Sequence, residues 1–185
     1  MNYPFDLKKA IQATSVLLKE HEREQMEYLR LLKLLYIAER ETIRETGRPI
    51  IGSRYVAMKN GPLHSRVYDL IKGEDIGSPD WGKFFRTVSI EIEQIEPADV
   101  DALSRFEIRK LKEVHDRYRN VDTWALVEET HALDEWRKNY PDPSQNTSHL
   151  IPIEDVMSGV DNYEDALAAF KDSCKEAYEM QQLFG

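Results

Sequence analysis

GRPIIGSRYVAMKNGPLHSRVYDLIKG, residues 47–73, is the most specific segment of the chain. Its middle, Asn60-Gly61-Pro62, packs three local instructions into three residues. Asn60 can cap, Gly61 permits φ > 0, and Pro62 suits the first position of a new helix. That helix should run to Gly73, a natural residue to follow a helix end. Arg54 to Met58, just upstream, is too short and too β-rich to be helical. The chain is therefore expected to turn sharply at Asn60 and to set His64, Arg66 and Tyr68 on a short helix. Leu63, Val67, Leu70 and Ile71 would share that helix's inward face.

Working outward, the segment preceding the block reads as a helix from about Glu24 to Thr46. Its middle, Leu29 to Ala38, is apolar on most sides, which places it at the centre of the fold. Its last turns, with Glu39, Arg40, Glu41, Arg44 and Glu45, read as a solvated charged face. Asp6 is a candidate cap for an earlier helix carrying Ala10, Ile11, Thr14, Leu17 and Leu18 on one face. Downstream, Thr87 to Glu93 alternates, with Val88, Ile90 and Ile92 on one side, and predicts a half-buried strand. A lone strand needs a partner, and Ser53 to Lys59 is the best candidate. Ser104 to Glu107 reads as a capping box, and Asp122 as the cap of a helix with Trp124, Val127 and His131 along it. A polar loop at Pro141 to Thr147 would form a joint. After it, Tyr163, Ala166, Leu167, Phe170, Cys174, Ala177 and Tyr178 trace a helical stripe. That stripe either completes the core or docks on another protein. The expected fold is mainly α: a compact multi-helix domain of about six or seven helices around a central apolar helix, with a small antiparallel β-ribbon. Residues 1–150 would form the domain, and residues 151–185 a helical extension packed on it.

Composition narrows the function. The net charge is −9, with 41% hydrophobic and 32% charged residues, ordinary for a globular domain. Residues 74–107 hold 3 basic and 9 acidic side chains, and residues 153–185 hold 2 and 8. This acidity disfavours nucleic acid, whose binding rests on phosphate neutralisation, and suits a basic protein partner. No run approaches the ~20 apolar residues of a membrane helix. The first residues show no basic or apolar region of a signal peptide, so a cytoplasmic location is expected. No two of His21, His64, His115, His131 and His149 stand three or four apart, so no metal set is legible. Cys174 falls on the apolar stripe, as a buried thiol would, and neither a nucleophile elbow nor a glycine-rich phosphate loop is present. No catalytic, cofactor-binding or metal-binding residue is expected. An enzyme pocket built on His64 and His131 would require the two to converge in space.

The Gly47–Gly73 block, the Thr130-His131 pair and Trp136 together resemble the Panacea domain, the family of SocA-like antitoxins, over roughly Asp6 to Tyr140. The resemblance implies a protein that neutralises a cognate, co-encoded toxin by direct contact, with no chemistry of its own. It also implies that some members act as adaptors delivering a toxin to a protease. Some carry an added helix-turn-helix domain, for which this chain has no spare length. The candidate partner-binding residues are Met58, Asn60, His64, Arg66, Tyr68, His131 and Trp136. A phage or mobile-element protein that uses the same domain to bind a host factor is the alternative.

Overall fold

Residues 28–46 form a helix that is apolar on most sides, and the remaining elements are wound around it. The computed structural model describes residues 3–140, 142, 144 and 146–184. Among the described residues the fold is mainly α, with nine α-helices and two small three-stranded antiparallel sheets. The order is α1 (Leu7–Glu20), β1 (Gln25–Glu27), α2 (Tyr28–Thr46), β2 (Tyr55–Met58), β3 (Gly61–His64), α3 (Ser65–Lys72) and α4 (Ser78–Trp81). There follow β4 (Phe85–Val88), β5 (Glu91–Gln94), α5 (Arg105–Tyr118), α6 (Thr123–His131), α7 (Asp134–Asn139), β6 (His149–Ile151), α8 (Ile153–Val156) and α9 (Tyr163–Phe184). Two helices beyond the expected number, α4 and α8, are single turns of four residues.

The local signals act as their chemistry dictates. Asp6 accepts the Lys9 N–H at 2.9 Å and starts α1. Ser104 and Glu107 cap α5 reciprocally, and Asp122 accepts from the N–H groups of Trp124 and Ala125. α2 is the hub because it serves two apolar clusters. Leu31, Leu32, Leu34, Leu35 and Ala38 enter the larger one with residues of α1 and α5. Tyr36 and Ile43 enter the smaller one with Tyr55, Trp136, Ile151, Met157, Leu167 and Phe170. The first half of α9 thus lays one face, through Leu167 and Phe170, on the cluster that α2 shares. Farther along, Tyr178, Met180 and Leu183 are exposed.

Several expectations change. The strand read at Thr87–Glu93 is a hairpin, β4 and β5, reversing at Ser89, which takes φ 57. It pairs through β5 with β1 in the order β1-β5-β4, whereas Ser53–Lys59 contributes β2 to the other sheet, ordered β3-β2-β6. Only Ile92 of the three alternating residues is buried; Val88 and Ile90 are exposed. Pro62 does not open a helix: Gly61–His64 pairs with β2, and α3 begins at Ser65. Met58↔Gly61 flanks the two-residue turn, and the Ser65 N–H reaches Arg54 O. The alternation of an antiparallel ladder then turns the Pro62 nitrogen away from β2, where its missing N–H costs no ladder bond. α2 starts at Tyr28 because Gln25–Glu27 is taken into a sheet. Trp124 is exposed, not on the buried side of α6 with Val127. The expected joint at Pro141–Thr147 lies partly outside the described residues.

Candidate functional site

The turn between β2 and β3 is held by side chains from three helices, and each grips a main-chain oxygen. Lys33 of α2 donates to Pro62 O at 2.7 Å. His131, the last residue of α6, puts Nε2 3.1 Å from Lys59 O. Trp136 of α7 donates its indole N–H to Met58 O at 2.9 Å. A carbonyl can only accept, so His131 carries its proton on Nε2. The His131 and Trp136 rings stack with centroids 4.1 Å apart, and Tyr140 stacks on the other side of Trp136. Gly61 completes the clamp. It sits at φ 92, and a Cβ there would run into Thr130 Oγ1 and lie 3.1 Å from Lys33 Nζ. The Thr130-His131 pair therefore does two jobs at one turn: the threonine packs on the glycine, and the histidine holds the carbonyl two residues earlier.

Two turns of α2 beyond Lys33, Glu39 organises the loop that leads into β2. Its buried carboxylate accepts the N–H groups of Ile50, Ile51 and Gly52 at 2.7, 3.0 and 2.8 Å and the Tyr55 hydroxyl at 2.9 Å. His64 Nε2 lies 3.5 Å from the same carboxylate, with its ring sealed between Tyr36 and Tyr55. Burial pushes the Glu39 carboxyl up, but His64, the Ile51 N–H and the Tyr55 hydroxyl outweigh it and leave it lowered. Glu135 of α7 accepts from Arg40 Nε at 2.5 Å and from the Tyr36 hydroxyl at 3.2 Å. Lys33, Tyr36, Glu39 and Arg40 thus form a polar seam along the buried middle of α2. Burial lowers the Lys33 ammonium to about 7. It lowers the His131 imidazole too.

The seven sequence-derived residues divide between two roles. Met58, His131 and Trp136 meet at the turn, with Asn60 exposed at its tip beside Lys59. His64 is fully buried at the other end of the hairpin, opposite Tyr55. Arg66 makes a two-pronged pair with Asp75, both bonds 2.7 Å, and covers the Phe5 ring. Tyr68 packs against the core, with the Lys72 ammonium over its ring. His64 and His131 therefore belong to opposite ends of one hairpin. Among the described residues no group of three or more His, Cys, Asp or Glu is placed to hold a metal ion. Cys174 is buried, and burial raises its thiol.

Sequence reasoning missed Lys33, Glu39 and Glu135. Glu39 reads as part of a solvated face, yet it is 1% exposed. Lys33 did leave a signal. A single charge inside Leu31-Leu32-Lys33-Leu34-Leu35, in a stretch apolar on most sides, must be buried or must snorkel.

The family model described as antitoxin SocA-like, Panacea domain, matches residues 31–137. That span runs from the start of the polar seam through the hairpin to α7, and so encloses the whole clamp. No curated protein and no solved structure matches the chain.

Proposed function

Because the chain belongs to the SocA-like antitoxin family with its Panacea domain, we propose that it neutralises a cognate toxin by direct protein–protein contact. It does so in a stoichiometric complex, in the cytoplasm, and without chemistry of its own. The family match over the clamped hairpin carries this reading. The way the turn is held supports it: Lys33, His131 and Trp136 are spent on its main-chain oxygens, and what is left facing outward there is a clamped tip of Lys59 and Asn60. A pre-shaped tip loses little conformational freedom on binding. A stable complex buries ~1,600 Å² in all, so the tip would be one part of a wider contact.

Co-expression with the protein encoded beside this one tests the reading. Rescue of growth and co-purification in a fixed ratio are expected. Failure of both overturns it. Replacing the tip by Lys59→Glu with Asn60→Arg should weaken the complex by about tenfold or more while leaving the melting curve in place. Unchanged rescue would make the tip purely architectural.

A further inference from the structure

The corner between α1 and β1 is pinned by two histidines that the clamped turn does not use. His21 closes α1, and His115, in the last turn of α5, is fully buried. His21 Nδ1 lies 3.2 Å from His115 Nε2, and the rings meet edge to face with centroids 5.4 Å apart. The other His115 nitrogen, Nδ1, stands 3.5 Å from Asp116 Oδ1, too far for a good hydrogen bond. A carboxylate can only accept, so the proton of neutral His115 belongs on Nδ1, and the His21 Nδ1–H donates to His115 Nε2.

The pair has room for one more proton, on the outer nitrogen of His21. A second must go on His115 Nε2, and two N–H groups then face each other across 3.2 Å. The surroundings offer His115 no free counter-ion. Arg30 of α2 and Arg119 repel both rings, while Glu22 attracts His21 and Asp116 attracts His115. Asp116 is already engaged by Arg119 at 2.7 Å. Arg30 is buried and spends its guanidinium on Val121 O and Tyr118 O, not on a carboxylate. Farther out, Glu20 is held by Lys112, Glu24 by Gln94, Glu91 by Gln25, and Asp122 by the helix it caps. Arg23 and Glu27 line the cavity beside His21. Burial first, and then the two arginines, lower both imidazoles.

What the pair restrains is strained. Arg23 and Glu24, next in the chain, both take the left-handed conformation, with φ 58 and 52, which is costly for a residue other than glycine. β1 follows at once. It is an edge strand of three residues with one buried side chain, Met26. We propose that the His21–His115 pair is an acid-operated latch: when both rings are protonated they part, and residues 21–27, β1 included, come away from β5. Released rings return to the ordinary 6.5, so the released state binds more protons than the closed one. The closed state is therefore favoured above pH 6.5 and is lost as pH falls below it. The latch owes nothing to the identity of a partner, so it stands or falls apart from the antitoxin reading.

Amide exchange of the full chain at pH 6.5 and pH 5.0, corrected for the intrinsic rate, tests the latch. The Tyr28 N–H reaches Ile90 O at 2.9 Å, so two residues earlier Met26 is ladder-bonded to Ile92 and its N–H reports on β1. The Met26 opening constant should rise at least about tenfold between the two conditions, and that of Leu34 in α2 should change much less. His21→Asn with His115→Gln keeps amide groups where Nδ1 and Nε2 stood but removes both titrating rings, and it should abolish the difference between Met26 and Leu34. His21→Asn alone keeps the test valid if the double variant fails to fold, and should cut the Met26 rise by about threefold or more. Equal opening of Met26 at the two pH values, a rise shared equally by Leu34, or an undiminished rise in either folded variant overturns the proposal.

Discussion

A lysine at the centre of an apolar helix makes stability depend on pH in a defined direction. Lys33 is held at about 7 in the folded chain, against an ordinary 10.5. Between those values the unfolded chain carries a proton that the folded chain lacks, so stability rises with pH across the window and is lost as pH falls through it. Urea denaturation at pH 7 and at about pH 9.5 should show the higher stability at the higher pH, and Lys33→Met should flatten that slope. The methionine variant leaves Pro62 O without its donor, so the slope rather than the absolute stability is the measure. Glu39 gives a second test. Glu39→Gln replaces a carboxylate that accepts four hydrogen bonds by an amide with one acceptor oxygen, and its NH₂ would face backbone N–H groups. A loss of about 3 kcal/mol in equilibrium unfolding is expected.

At the level of elements, the clamp predicts that ring and hydrogen bond can be separated. Trp136→Phe keeps an aromatic ring stacked between His131 and Tyr140 but removes the N–H that holds Met58 O. Thermal unfolding should report a loss of about 1 kcal/mol with the far-UV circular dichroism unchanged. Elements set by local chemistry were legible in the chain. Asp6, Ser104 with Glu107, and Asp122 each specify a helix start within three residues, and all three starts stand where their side chains put them. Strand pairing was not legible, because it joins residues far apart. β1 lies within Gln25-Met26-Glu27, which has no β-branched residue and runs straight into a helix, so nothing local marks it as the neighbour of β5. Ser89 reverses the β4–β5 hairpin in a left-handed conformation where glycine or asparagine would have announced the turn. Pro62 fits a first helical position and an outward-facing strand position equally well, and the contact with Lys33 settles it. Of the candidate site, the turn and its two distant partners, His131 and Trp136, could be named from sequence. The polar seam beneath it could not, because Glu39 and Arg40 lie among three more charges at the end of α2.

For the whole molecule, α9 divides into two halves with different expected roles. Leu167, Phe170 and Cys174 are buried beside α2, while Tyr178, Met180 and Leu183 project at 41%, 57% and 73% exposure. Removing residues 178–185 should leave a single cooperative transition in calorimetry. Removing everything from Asp161 onward should abolish it or lower it steeply, because the smaller apolar cluster then loses its cover. Across the molecule the charges that could attract a basic partner lie on outer surfaces, while the buried charges already have hydrogen-bonded partners. The clamp carries one more implication. Lys33, His131 and Trp136 grip carbonyl oxygens, which every amino acid supplies alike, so the shape of the turn does not depend on which side chains stand at positions 59 and 60. Those two positions can drift through mutation while the loop keeps its form, much as a tool holder accepts different bits. Lineages carrying this scaffold could then exchange one binding specificity for another without refolding the domain.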